Sequence, residues 1–272
     1  MIEIEYIYSI GHRCNCPDFL KYYNLRNISG PFDYLYVDIE TCFDNIQNNF
    51  KLFFSDIVCF FKKENILSIH NSKQQINKKL NILVESDKVY YIAQNYYNTH
   101  LVINQNYINN VSNDLYEWDR ICISTHHNFI NNKTHKMIKE RADIFMDIYN
   151  RFFEKMILFH FTKINEDSEL NSYKKYVFDL KNKYMIKSYI VIIIHSSSIE
   201  ECHYFENNIL FIVKKVNSYK VQLETKGIDN NRLKYKKELE ILNKYFKLNL
   251  KSYEEIKKDY NVKYFIPSRK LI

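Results

Sequence analysis

Cys14 stands where a thiol can do chemistry. It lies in the run Tyr6-Ile7-Tyr8-Ser9-Ile10-Gly11-His12-Arg13-Cys14-Asn15-Cys16-Pro17-Asp18-Phe19-Leu20. The apolar stretch from Ile4 to Ile10 reads as a buried strand, and Gly11 breaks it. Pro17 and Asp18 then open an amphipathic helix carrying Phe19, Leu20, Tyr23 and Leu25, since proline suits the first helical position and an acid the first turn. Cys14 is therefore expected on a strand-to-helix turn near a helix N-terminus. Unpaired N–H groups and the helix dipole favour a thiolate there, so the thiol is a candidate nucleophile. His12 and Arg13 add positive charge beside it and are candidate substrate contacts. The alternative is a packing role, because free cysteines are among the most buried residues.

A thiol nucleophile needs a base, usually an imidazole. Among the nine histidines, His126 and His127 are the candidates, with His127 preferred. They follow a strand at 120–124 and precede a helix. If that strand runs parallel to the first one, both C-terminal ends lie on one sheet edge, where open α/β sheets place their sites. His160 and His195 also close apolar strands and could join that edge, although such histidines are more often structural. Adjacent histidines can bind metals, but no carboxylate stands at useful spacing, so no metal is expected. Asp33 could orient a histidine, or it could accept backbone hydrogen bonds in the turn after Gly30-Pro31.

The pattern Ser9-Ile10-Gly11-His12-Arg13-Cys14, then Leu20, Leu25-Arg26 and Pro31-Phe32-Asp33-Tyr34, resembles the N-terminal signature of the putative papain-like cysteine peptidase family. That signature is S-x-G-x-x-C, a helix, then P-F-D-W. Tyr34 replaces the tryptophan. The resemblance lies mainly over residues 9–34 and implies a papain-like activity with Cys14 as nucleophile. It also implies a histidine near His126-His127, in an H-D or H-H-D pattern where Asn128 here replaces the acid. Arg141 resembles an arginine of the family pattern. It could hold an anionic substrate group or form a surface ion pair. A papain-like fold would be α+β with an antiparallel sheet.

The elements that must position these residues suggest a different sheet. Strands at 156–161, 189–195 and 209–216 alternate with helices at 134–153 and 170–185, and Lys220 to Leu223 could return as an antiparallel edge. Asp38 can cap a helix with Ile39, Phe43, Ile46 and Phe50 at helical spacing. Such alternation predicts a single three-layer α/β domain over residues 1–272 with a largely parallel mixed sheet. Polar C-terminal helices begin near residue 231, and residues 51–117 support no assignment.

Composition narrows the function. Apolar residues make up 46% of the 272, enough for a core rather than disorder. Neither a G-x-G-x-x-G nor a P-loop pattern occurs, and no cofactor is expected. The net charge of +7 is spread along the chain, as at Lys214 and Lys215, and reads as solvated surface. Nucleic acid is not an expected partner. The six cysteines show no C-x-x-C and lie mostly in apolar runs, which fits reduced thiols in the cytoplasm. No apolar run is long enough for a membrane span. Together these point to a cysteine-dependent hydrolase or acyltransferase for an amide, ester or thioester bond in an unidentified peptide, acyl or glycan substrate. The alternative is a non-catalytic α/β module that binds a glycan or nucleic acid.

Overall fold

The computed structural model describes residues 1–11, 15–33, 35–54, 57–61, 100–104, 122–124, 132–216 and 235–263. The N-terminal part contains β1 (Ile2–Ile4), β2 (Tyr6–Ser9), α1 (Asn15–Tyr22), β3 (Leu35–Val37), α2 (Ile39–Gln47), β4 (Ile57–Phe61), β5 (His100–Asn104) and β6 (Cys122–Ser124). There follow α3 (Asn132–Phe152), β7 (Met156–Lys163), α4 (Asp167–Lys183), β8 (Tyr189–Ser196), β9 (Cys202–Glu206) and β10 (Ile209–Lys215). The chain closes with α5 (Lys236–Tyr245), β11 (Phe246–Leu248) and α6 (Tyr253–Tyr260).

The main sheet has the order β2-β7-β8-β10-β9. Its first four strands are parallel, and β9 pairs antiparallel with β10. In β8 the segment Ile190–Ser196 is wholly buried, as a strand covered on both faces must be. Side-chain alternation divides the core in two. Tyr8, Leu158, Ile192 and Phe211 face Phe145 and Ile148 of α3 and Tyr173 and Val177 of α4. Ile7, Phe159, Val191 and Ile212 face Phe19 and Leu20 of α1 and Leu242 of α5. The result is the expected helix–sheet–helix arrangement of an α/β fold, with a mostly parallel sheet.

One expected strand lies elsewhere. The strand at 120–124, which would have to run parallel to the first strand for its histidines to share that edge, is β6, and β6 belongs to a four-stranded sheet of order β3-β6-β5-β4. It is antiparallel to both β3 and β5. Its partner β3 has only three residues, too few to show a period of two, so the pairing leaves no pattern in the sequence. The antiparallel edge of the main sheet is β9, which the sequence reading missed. Asn207 and Asn208, both with positive φ, form the two-residue link to β10. Asparagine tolerates that conformation, and a pair of such residues between strands is a hairpin signal. Lys220 to Leu223 lie outside the described residues.

The C-terminal segment is not simply a polar surface. β11 runs parallel to β1, and the N–H groups of Asn249 and Lys251 donate to Ile4 and Glu5 carbonyls at 2.8 and 3.0 Å. Ser252 and Glu255 form a reciprocal cap for α6. Lys214, expected in solvent, is buried and donates to Glu238 of α5 at 2.8 Å. Alternation explains this: residue 214 shares a face with Leu210 and Ile212, beneath α5. Breaking a buried pair leaves an uncompensated charge. We therefore expect Glu238→Ala to cost about 3 kcal/mol or more, measured by urea unfolding at neutral pH. A loss below about 1 kcal/mol, the range of surface pairs, would contradict burial of this ion pair.

Candidate active site

The end of β2 and the start of α1 are both fastened to β7. Ser9 lies opposite Phe159 in the parallel ladder, and the Ile10 N–H donates to the Phe159 carbonyl at 2.8 Å. The same carbonyl accepts the Cys16 thiol of α1 at 3.2 Å. One residue on, the imidazole of His160 donates through Nδ1 to the Ile10 carbonyl at 2.9 Å. The Cys42 thiol of α2 donates to that carbonyl too, at 3.4 Å. Gly11 has φ +92°, and a Cβ there would stand 2.5 Å from Val37 Cγ1 and 2.6 Å from the Val37 carbonyl oxygen. Only glycine fits both the conformation and the space. Ile10 and Gly11 are thus held by β7 on one side and by the junction of β3 with α2 on the other.

Each neighbouring element has a local reason for its place. Asp38 caps α2, accepting from Thr41 N–H at 2.8 Å and Thr41 Oγ1 at 2.6 Å. This is the expected cap, and Ile39, Phe43 and Ile46 are buried as the spacing predicts. Helix α1 begins at Asn15, two residues before the predicted start. Pro17 is accommodated because the first N–H groups of a helix have no intrahelical partner to lose.

Burial sets the electrostatics. Cys16 is fully buried, and burial pushes its thiol up to about 12, which removes it as a nucleophile. Burial pulls the His160 imidazole down to about 4, against a smaller upward effect from its bond to Ile10. A carbonyl only accepts, so Nδ1 carries the proton and Nε2 is the basic nitrogen of the neutral ring. Burial, aided by Lys214, holds His195 at about 3. His195 Nε2 lies 2.9 Å from the Tyr235 hydroxyl. The two histidines lie on neighbouring strands, but alternation puts them on opposite faces of the sheet.

Of the sequence-predicted site residues, Cys14, His12, Arg13, His126 and His127 lie outside the described residues. Asp33 is fully buried. Its Oδ2 accepts from the Arg26 guanidinium and from Gly30 N–H at 2.9 Å. The carboxylate therefore locks the 30–33 turn and contacts no described histidine. Leu25-Arg26 and Pro31-Phe32-Asp33 meet in space through this pair. Arg141 is buried on α3, with Nη2 3.5 Å from Met137 Sδ.

The reason for joining Cys14 to His126 and His127 through one parallel edge does not hold. In the β3–β6 register Ser124 stands opposite Leu35 and Cys122 opposite Val37. The chain leaves β6 beside Leu35, about 7 Å along the strand from the Val37 that packs on Gly11. Sequence reading also undervalued His160 and Cys42, whose role at the Ile10 carbonyl comes from packing between β7 and α2. A histidine closing an apolar strand was the available signal. Among the described residues no group of three or more His, Cys, Asp or Glu side chains gathers as metal ligands would, and no helix is long and apolar enough to cross a membrane.

The model of the family described as Putative papain-like cysteine peptidase (DUF1796) matches residues 5–198, and this chain belongs to that family. No curated protein and no solved structure matches the chain.

Two measurements check the geometry. A Cβ at Gly11 would meet backbone at positive φ, so Gly11→Ala should cost about 2 kcal/mol or more of unfolding free energy; a neutral result would contradict the close approach. His160 and His195 have folded pKa values below the unfolded value of about 6.5, so the unfolded chain binds more protons between pH 6.5 and 4. Stability should be full above pH 6.5 and fall on acidification, by up to about 3 kcal/mol per histidine. Urea midpoints that stay flat across this range would contradict the two neutral imidazoles.

Proposed function

We propose that this protein is a cysteine-dependent hydrolase or acyltransferase acting on an amide, ester or thioester carbonyl. Cys14 is the nucleophile, and His127 or His126 is the base. One observation carries the reading: Cys14 immediately precedes α1 in the chain, and Ile10 before it and Cys16 after it both bond to the Phe159 carbonyl of β7. A helix start favours a thiolate. The neighbouring thiols Cys16 and Cys42 are buried and bonded to carbonyls, so neither competes with Cys14. Membership of the family supports the same reaction class.

In this reading the Cys14 thiolate attacks the substrate carbonyl carbon and forms a tetrahedral oxyanion. N–H groups at the start of α1 contribute to stabilising it. The imidazolium gives its proton to the leaving nitrogen, oxygen or sulfur as that bond breaks, leaving a thioester on Cys14. Water, or an acceptor amine or alcohol in the transferase case, then attacks the thioester while the imidazole takes its proton. The thiolate departs and the site is restored. His12, Arg13 and Arg141 are the substrate contacts, and the substrate is a peptide, an acylated molecule or a glycan. Thiols in no disulfide, as at Cys16 and Cys202, fit a reducing compartment, and we place the protein in the cytoplasm.

The test is the pH dependence of alkylation, with each modified cysteine located by mass spectrometry. Cys14 should react fastest at neutral pH, with a thiol pKa well below the free value of about 8.5. His127→Ala, or His126→Ala if that is the base, should remove its reactivity at low pH while the thiol still reacts above about pH 8.5. A Cys14 that titrates as an ordinary thiol, with all six cysteines reacting uniformly slowly, would favour the non-catalytic binding module.

A further inference from the structure

The geometry points to His160 as a positioning residue. Through Nδ1 it clamps the Ile10 carbonyl and so fixes the end of the strand from which the chain leads, four residues on, to Cys14. The chemical part of this role rests on Cys14 being the nucleophile; the clamp itself does not.

Four described contacts converge on two backbone carbonyls, those of Ile10 and Phe159. Ile10 uses both its N–H and its carbonyl on β7: the N–H goes to the Phe159 carbonyl at 2.8 Å, and the carbonyl receives His160 Nδ1 at 2.9 Å. Cys42 donates to the Ile10 carbonyl at 3.4 Å, and Cys16 to the Phe159 carbonyl at 3.2 Å. Thiol donors are weak, so of the two groups on the Ile10 carbonyl the imidazole supplies the stronger bond. It is also a directional bond, because the strand backbone holds the His160 Cα beside β2 and the ring is buried on all sides. The next residue, Gly11, is wedged against Val37 and cannot retreat. Ile10 and Gly11 are therefore positioned from β7 and checked by β3. Catalysis by an oriented nucleophile requires such fixing, because displacements near 1 Å cost about 100-fold in rate. The neutral ring preserves the clamp across the physiological range: with Nδ1 protonated and donating, its charge does not change between neutrality and mild acid.

Two conservative variants separate this role from others. In His160→Asn the amide nitrogen takes the place of Nδ1 and keeps a donor toward Ile10. In His160→Gln the amide nitrogen takes the place of Nε2 and leaves the Ile10 carbonyl without that donor. The readouts are amide hydrogen exchange at Ile10, the alkylation pKa of Cys14 and thermal stability.

The clamp predicts that His160→Asn retains slow exchange at Ile10 and a wild-type Cys14 pKa. His160→Gln should exchange about tenfold faster at Ile10, equivalent to about 1.4 kcal/mol, and raise the Cys14 pKa toward the free value of about 8.5. A merely structural histidine would lower stability in both variants and leave the Cys14 pKa unmoved in the folded protein; that result overturns the proposal. Equal loss in Asn and Gln overturns it as well, since the ring would then act through Nε2. If wild-type Cys14 proves to be an ordinary thiol, the proposed function fails, and the exchange rates at Ile10 alone still decide whether His160 is the clamp.

Discussion

The bond between His160 and the Ile10 carbonyl is the point on which the site depends. Parallel strands tie β2 to β7 by backbone bonds, but such bonds end where β2 ends. A side chain must continue the tie if the following turn is to be held. His160 does this for Ile10 at 2.9 Å, and Cys16 at the start of α1 bonds to the preceding carbonyl of the same strand. Buried polar groups of this kind must be satisfied or they destabilise the fold. Here each one is satisfied by fastening one element to another.

The two faces of the sheet divide the work. Toward α2, α3 and α4 the core is aromatic and aliphatic: Phe32, Phe50, Phe53 and Phe145 pack ring against ring behind the P-F-D turn. Arg26 and Asp33 hold that turn with a buried ion pair. Toward α1 and α5 the sheet carries a second buried polar group, with His195 against Tyr235 and Lys214 against Glu238. Phe19 of α1 links the two helices on this side by packing on both Phe161 and Tyr235. Ion pairs inside a core add little net stability. Their effect is to oppose any displacement of α5 that would separate Lys214 from Glu238.

Long, strongly patterned elements were legible in the sequence. The β-branched run Ile190–Ile194, the helix beginning near residue 134 and the Asp38 cap all follow from local chemistry that tertiary structure does not override. Short elements were not. β3 and β6 have three residues each, so alternation cannot distinguish a parallel neighbour from an antiparallel one. The inference that His126 and His127 share an edge with Cys14 depended on that distinction. Lys214 was misread for a related reason: a lysine ending an apolar strand looks solvated until a helix is known to cover that face. The position of a nucleophile beside a helix start is local information, whereas the clamp from His160 joins residues 150 positions apart and has no local signature.

The most direct test of the account is trapping of the acyl-enzyme. The full-length protein is incubated with an activated ester such as p-nitrophenyl acetate, quenched in acid and weighed intact, and the adduct is located by peptide mass. The account predicts one acetyl group per molecule, carried by Cys14 as a thioester and absent from Cys14→Ala. An adduct on another cysteine, or wild-type labelling no faster than that of Cys14→Ala, would contradict it.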